Sequence, residues 1–127
     1  MQDLSRFEAD YFDLVVALGV YHNAQSREDW KLSMLESKRV LKTDGQVLVA
    51  IFSPRSEPQG TPLEAVSGAE QLYTGFSSGA LYLLDAEALD VSMAQFGFNP
   101  VQPTQTVTAK TDLGFRVTVN GLYVTHD

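Results

Sequence analysis

An α/β domain built around a parallel sheet is the fold class this sequence predicts, on three observations. Residues 12–18, FDLVVAL, are apolar at every position from Leu14 to Leu18. A run without polar alternation reads as a strand covered on both faces, as in a parallel sheet between helices. Residues 46–52, QVLVAIF, repeat the pattern, with a segment of helical periodicity in between. Strand, helix, strand in that order is a parallel crossover unit, which is right-handed in nearly all cases.

The elements follow in order. After the first strand comes SREDWKLSMLESKRVLKTDG, residues 26–45. Ser26 and Asp29 have capping-box spacing, Trp30, Met34 and Leu41 fall near one face, and Gly45 sits where a left-handed residue ends a helix. The SPRSEPQGTP stretch, residues 53–62, reads as a long loop. Thr61 and Glu64 repeat the capping spacing with Pro62 at the first helical position, predicting a short helix over 62–73. GALYLLD reads as a short strand or extended segment. In DAEALDVSMAQFGF, Leu89, Met93 and Phe96 lie at i, i+4 and i+7, with Gly97 as the stop. Val101–Ala109 and Phe115–Thr125, joined by KTDLG, alternate Thr and Val as an antiparallel hairpin does.

Composition narrows the function classes. At 127 residues the chain suits one small domain rather than two. A formal net charge of −7 opposes a nucleic-acid backbone, and Lys31, Lys38, Arg39 and Lys42 are interleaved with Glu28, Asp29 and Glu36 as on a solvated helix face. Cysteine is absent and only two histidines are present, so no thiolate metal site can form and no metal site is expected. No apolar run reaches membrane-spanning length and the first residues lack the form of a signal peptide. A cytoplasmic protein, associated with neither nucleic acid nor membrane, is the expectation.

Three phrases in sequence order carry a resemblance. YFDLVVALGVYHN looks like the fourth strand, and the loop after it, of the class I S-adenosylmethionine-dependent methyltransferases. RVLKTDGQVLVAIFSP resembles the helix end, turn and fifth strand, with Thr43 and Asp44 replacing the usual Pro and Gly. LYLLDAEALDVSMAQFGFNPV resembles the later helix that ends in Gly-Phe before the sixth strand. The resemblance implies a truncated Rossmann-like methyltransferase sheet, strand order 4-5-7-6, with flanking helices and the C-terminal hairpin. It makes residues 1–127 a single partial domain. The family's glycine-rich turn and ribose-binding carboxylate belong upstream of Asp3 and are not among these residues.

The same resemblance nominates site residues. Asp3 and Leu4 match the segment where a carboxylate and the next backbone N–H meet the adenine; the plainer reading is a terminal segment with a solvated Asp. Leu18, Gly19 and Val20 match the loop passing the methionine end of the cofactor, or else form an ordinary strand-ending turn. Tyr21 and His22 would point toward the methyl acceptor, His22 as an orienting group or base, or alternatively as a local hydrogen-bonding residue; Asn23 suits the same local role. Tyr73, Phe76 and Tyr82 are either acceptor-pocket or core aromatics.

Two functions follow. One is a methyltransferase using S-adenosylmethionine on an unassigned acceptor, completed by a separate N-terminal half or a swapped chain; the isolated chain is not expected to bind the cofactor. The other is a non-catalytic remnant of that fold, acting as an oligomerising or binding module. With strands one to three absent, the 12–18 strand becomes an unprotected apolar edge. The expectation is a homodimer through residues 12–20, two copies of this strand pairing antiparallel, unless residues 1–11 fold back over the edge.

Overall fold

The structure, a computed structural model, describes residues 3–77 and 79–126. Strand β1 (Phe12–Leu18) leads through a 3-10 turn (Tyr21–Asn23) to helix α1 (Arg27–Val40) and strand β2 (Leu41–Phe52). A small sheet of β3 (Glu64–Ala65), β4 (Leu72–Phe76) and β5 (Gly79–Tyr82) precedes helix α2 (Ala86–Gln95). Strands β6 (Phe98–Pro100), β7 (Gln105–Lys110) and β8 (Phe115–Thr125) close the chain.

The main sheet runs β1-β2-β8-β6, with β7 also paired to β8. β1 and β2 are parallel; β8 is antiparallel to β2, β6 and β7. β6 takes Tyr123 to Thr125 and β7 takes Phe115 to Asn120, so the two follow each other along one edge of β8. The expected order 4-5-7-6 is therefore the observed one, the sixth position being divided between β6 and β7.

Both helices lie on one face of this sheet. α1 begins as expected: Ser26 accepts the Asp29 N–H at 3.1 Å. Asp85 caps α2 by accepting from Ala88 N–H at 2.9 Å. The Trp30 indole N–H donates to Ser92 Oγ at 2.7 Å and ties the two helices together. Beneath them the core joins Ala17, Val47, Val49, Ile51, Val119 and Tyr123 of the sheet to Trp30, Met34, Leu89 and Met93 of the helices.

Among the described residues no helix lies on the opposite face. Leu14, Val16 and Leu18 are 50%, 51% and 59% exposed, while Ala17 between them is fully buried. Their cross-strand neighbours are Gln46, Leu48 and Ala50, which in turn pair with Val124, Leu122 and Asn120. All six are half-buried. The run that reads as doubly covered is thus covered once, and its even-numbered side chains form an open apolar surface.

Two local expectations are corrected, and one alternative is not seen among the described residues. α1 stops at Val40, not at Gly45, because Leu41 already starts β2 and its partner Phe12 lies on β1. The left-handed residue is Asp44 (φ 66°), and a side chain on Gly45 would come within 2.7 Å of the Lys42 carbonyl oxygen. No helix forms over 62–73: Glu64 and Ala65 pair with Thr74 and Tyr73, and Leu72 and Tyr73 pair with Tyr82 and Leu81. Gln71, at φ 61°, turns the chain into β4, which a helix would not allow. Finally, residues 3–11 do not blanket the β1 edge. Phe7 packs on Phe12 at 5.0 Å, while Tyr11 (57%) and Val16 remain exposed.

Candidate functional site

In an open α/β sheet, ligands bind beyond the carboxyl ends of the parallel strands. Here that end is the segment Leu18-Gly19-Val20 after β1 and Ser53-Pro54 after β2. The Gly19 N–H donates to Ala50 C=O at 2.8 Å, fastening the first loop to the second strand. Gly19 has φ 69°, a conformation that a side chain would strain, and a Cβ there would still have ordinary room, 3.8 Å from the His22 ring. The glycine thus serves the turn. Leu18 and Gly19 are exposed and Val20 is half-buried, so this loop faces open space.

His22 clasps the two loops. Its Nδ1 accepts the Phe52 N–H at 3.1 Å, so the ring proton resides on Nε2. His22 is 6% exposed and its ring stacks on Phe52 at 4.9 Å, and Phe52 stacks on Phe76 at 4.7 Å. The Arg116 guanidinium lies 5.5 Å from the Phe52 ring centre. Burial pushes the His22 pKa down, with a hydrogen bond to the Gly19 backbone acting against it. With Nδ1 occupied, His22 stands as a loop-binding group rather than a free base.

Tyr21 points the other way. It is 1% exposed, and its hydroxyl shares a hydrogen bond of 2.6 Å with Ser37 Oγ of α1. Burial raises its pKa to about 12. The expected orientation toward an acceptor is corrected: a 3-10 turn directs successive side chains about 120° apart, so Tyr21 enters the core while His22 faces the loops. Asn23 Nδ2 reaches the Gly19 carbonyl at 3.5 Å. Phe76 and Tyr82 are both core residues, Tyr82 stacked on Trp30 at 5.1 Å; Tyr73 is half-buried.

Asp3 and Leu4 lie at the opposite end of the sheet. The Leu4 N–H donates to Glu36 Oε2 at 2.9 Å, and the Leu4 carbonyl accepts from Arg39 at 2.9 Å. Arg39 also grips the Phe7 carbonyl at 3.1 Å and Glu36 Oε1 at 2.9 Å. This lock sits at the C-terminal end of α1, where Asp10 and Tyr11 N–H donate to the Arg39 and Val40 carbonyls. The Asp3 carboxylate accepts from Ser5 N–H at 3.0 Å, and hydrogen bonding by the Ser5 hydroxyl first, then by its N–H, holds the Asp3 pKa below the usual range. From there to Gly19 is the whole of β1, about 20 Å at 3.3 Å per residue. The backbone N–H expected to serve an adenine is already satisfied within the chain. The Glu36–Arg39 lock was not foreseen, although acidic and basic residues at i, i+3 are its visible signal.

Other surface features stand apart from the strand ends. A concavity of about 1090 Å³ between the helices is lined by Trp30, Tyr82, Leu84, Val91 and Phe96, with Arg27 and Glu70 at its rim, and includes none of the Gly19 loop. Among the described residues no three His, Asp or Glu side chains converge as a metal site, and no helix is long and apolar enough to cross a membrane.

Comparison with known proteins agrees with this geometry. A family model described as a methyltransferase domain matches residues 1–49. No curated protein matches. Among solved structures, the Burkholderia thailandensis 1,6-didemethyltoxoflavin N1-methyltransferase, determined with 1,6-didemethyltoxoflavin and S-adenosylhomocysteine bound, aligns with 99% of this chain at 17% identity and a TM-score of 0.70. A Methanosarcina mazei S-adenosylmethionine-dependent methyltransferase aligns with 98% at 14% identity and a TM-score of 0.74. One from Thermotoga maritima, described as a possible histamine N-methyltransferase, aligns with 95% at 16% identity and a TM-score of 0.61. The alignments span 48%, 63% and 60% of those chains, so this chain corresponds to less than two thirds of each. The chain thus resembles a methyltransferase domain over residues 1–49 and shares the α/β fold of part of these S-adenosylmethionine-dependent methyltransferase structures.

Proposed function

We propose that this chain is the carboxyl-side portion of a methyltransferase-type domain, contributing the Leu18-Gly19-Val20 loop to one wall of an S-adenosylmethionine site whose glycine-rich wall comes from another polypeptide segment. The observation that carries this reading is the exposed, left-handed Gly19 at the carboxyl end of β1, in a fold shared with methyltransferase structures. The chain's nine glycines include no clustered turn after a strand that would cradle the rest of such a cofactor. When bound, the cofactor would supply a sulfonium methyl group for direct displacement by an O, N or C nucleophile. The contribution of these residues would be alignment and exclusion of water, with His22 positioning the Gly19 loop against β2. Asp3 and Leu4 have no part in this proposal, since their backbone partners are taken at the far end of the sheet.

The test is calorimetric titration of the 127-residue chain with S-adenosylmethionine. No binding is expected, because several charged and backbone partners are missing and each charged hydrogen bond contributes about 1.5–3 kcal/mol. A micromolar dissociation constant would overturn the claim that a second segment is required.

A second reading is favoured by the open apolar face: a non-catalytic module of the same fold that associates through the sheet. Exposed Leu14 and Val16 lie outside that proposed wall and have the properties of a contact surface.

A further inference from the structure

We propose that the His22 ring stands in for the last rung of the β1–β2 ladder, and that a proton on its Nδ1 withdraws that rung and frees the Gly19 loop. Its consequence for a cofactor rests on the reading of that loop as one wall of the site. The latch itself does not.

The ladder shows why a stand-in is needed. Leu18 lies opposite Ala50 in the parallel pair, and the Gly19 N–H donates to the Ala50 carbonyl at 2.8 Å. Successive donors of a central strand alternate between its two neighbours, and the Ser53 N–H goes to Val117 of β8 at 2.7 Å. The Phe52 N–H therefore faces β1, where the next acceptor in register is the Gly19 carbonyl. Gly19 is left-handed, at φ 69°, so that carbonyl leaves the ladder and accepts from Asn23 Nδ2 at 3.5 Å instead. A half-buried N–H without an acceptor is unfavourable, and His22 Nδ1 supplies the acceptor at 3.1 Å. Stacking on Phe52 at 4.9 Å holds the ring there, on a 3-10 turn closed by the Asn23 and Ala24 N–H groups.

Only the neutral ring performs this task. Nδ1 offers one lone pair; protonated, it becomes a donor facing the Phe52 donor, and the two repel. No neighbouring group imitates that change. β4 brings Phe76 to the stack, and β8 brings Arg116, a permanent cation 5.5 Å from the Phe52 ring centre. β5 brings Tyr82, stacked on Trp30, and α1 engages Tyr21 through Ser37. Burial holds both phenols above their ordinary pKa. Asp29 of α1 accepts the Gln25 N–H at 3.1 Å. Among the described residues no carboxylate acts on the His22 ring: burial disfavours its charge, and the bond to the Gly19 backbone acts against burial. The rung is thus in place at neutral pH and lost on acidification.

Gly19 lets the loop answer. Without a side chain it takes up left-handed or extended backbone, so on release its carbonyl can turn back into register and accept the Phe52 N–H. The loop then has two arrangements, and the proton on His22 selects between them.

Nuclear magnetic resonance of the 127-residue chain tests this without cofactor, so its outcome is separate from that of the calorimetric titration. Near neutral pH the His22 ring should carry its proton on Nε2. Acidification through the histidine range should shift the Gly19 and Phe52 amide resonances with the same midpoint as the ring. His22→Gln, whose side-chain oxygen accepts but does not titrate, should leave both amides unmoved. A neutral ring with its proton on Nδ1 overturns the proposal. So do amides that stay fixed while the ring titrates, or that move equally in folded His22→Gln. A ring that never titrates before the chain unfolds overturns it as well. The ring tautomer and the shared midpoint are read on the parent chain, so the test does not depend on the variant folding.

Discussion

The two faces of one sheet are built from alternate residues of the same strands, yet they have opposite environments. On β1, Ala17 is fully buried against the helices, while Val16 and Leu18, its immediate neighbours, are more than half exposed. On β2, Val47, Val49 and Ile51 are buried and Leu48 and Ala50 only half so. Residue chemistry does not distinguish them: Val, Leu and Ala occur on both. The difference is whether this chain supplies a helix. Apolar content therefore marks a surface meant to be covered, and the topology decides whether the cover is intramolecular.

The largest expected effect lies on the covered face. Met34→Ala, at a fully buried position under α1, should destabilise the chain by about 2–5 kcal/mol. Urea denaturation measures this, and a loss below about 1 kcal/mol would mean that the helix layer is not tightly packed. Next comes a buried polar contact on the same face. The Tyr123 hydroxyl donates to Asp90 at 2.6 Å and lies 3.3 Å from Thr104, and its pKa is raised by burial and by Asp90. Tyr123→Phe should lower stability by about 1.5 kcal/mol, the contribution of a hydrogen bond to a charged group.

His22 adds a pH dependence. Its pKa in the folded chain is depressed below the unfolded value, so the unfolded state binds the proton more readily. Its contribution is fully present above the unfolded pKa, about 6.5, and is lost as pH falls from there toward the folded pKa. Denaturation midpoints at pH 7.5 and 5.5 should differ, by less in His22→Asn than in the parent chain. An equal difference in both would assign the pH dependence to other groups.

The smallest effect belongs to the bare face. Val16→Thr, at a half-exposed position, should change monomer stability by no more than about 0.5 kcal/mol. A larger loss would show that Val16 already packs against its own chain, and the contrast between the faces would shrink.

Local chemistry made much of this architecture legible. Unbroken apolar runs marked β1 and β2, Ser26 and Asp29 marked the start of α1, Leu89 and Met93 marked α2, and Thr/Val alternation marked the final hairpin. The order of these elements carried the resemblance and hence the sheet order. The Gly19 turn was legible because its position after a buried strand restricts what it can be. What lay beyond the sequence depended on distant partners. The capping spacing of Thr61 and Glu64 was overridden because residues 72–76 found a strand partner in residues 79–82. Val40 ended α1 early because Leu41 met Phe12, 29 positions away in sequence. Tyr21 and His22 are adjacent in sequence, but only the 3-10 turn sends one to Ser37 and the other to Phe52. Leu4 matched a cofactor contact in its local context, and only the tertiary structure gave its N–H to Glu36 at the other end of β1. Short-range periodicity and caps thus determined which segments become strands and helices, because those preferences reside in neighbouring residues. Which face was covered, and which backbone groups remained free for a ligand, was decided by contacts between residues far apart in the chain.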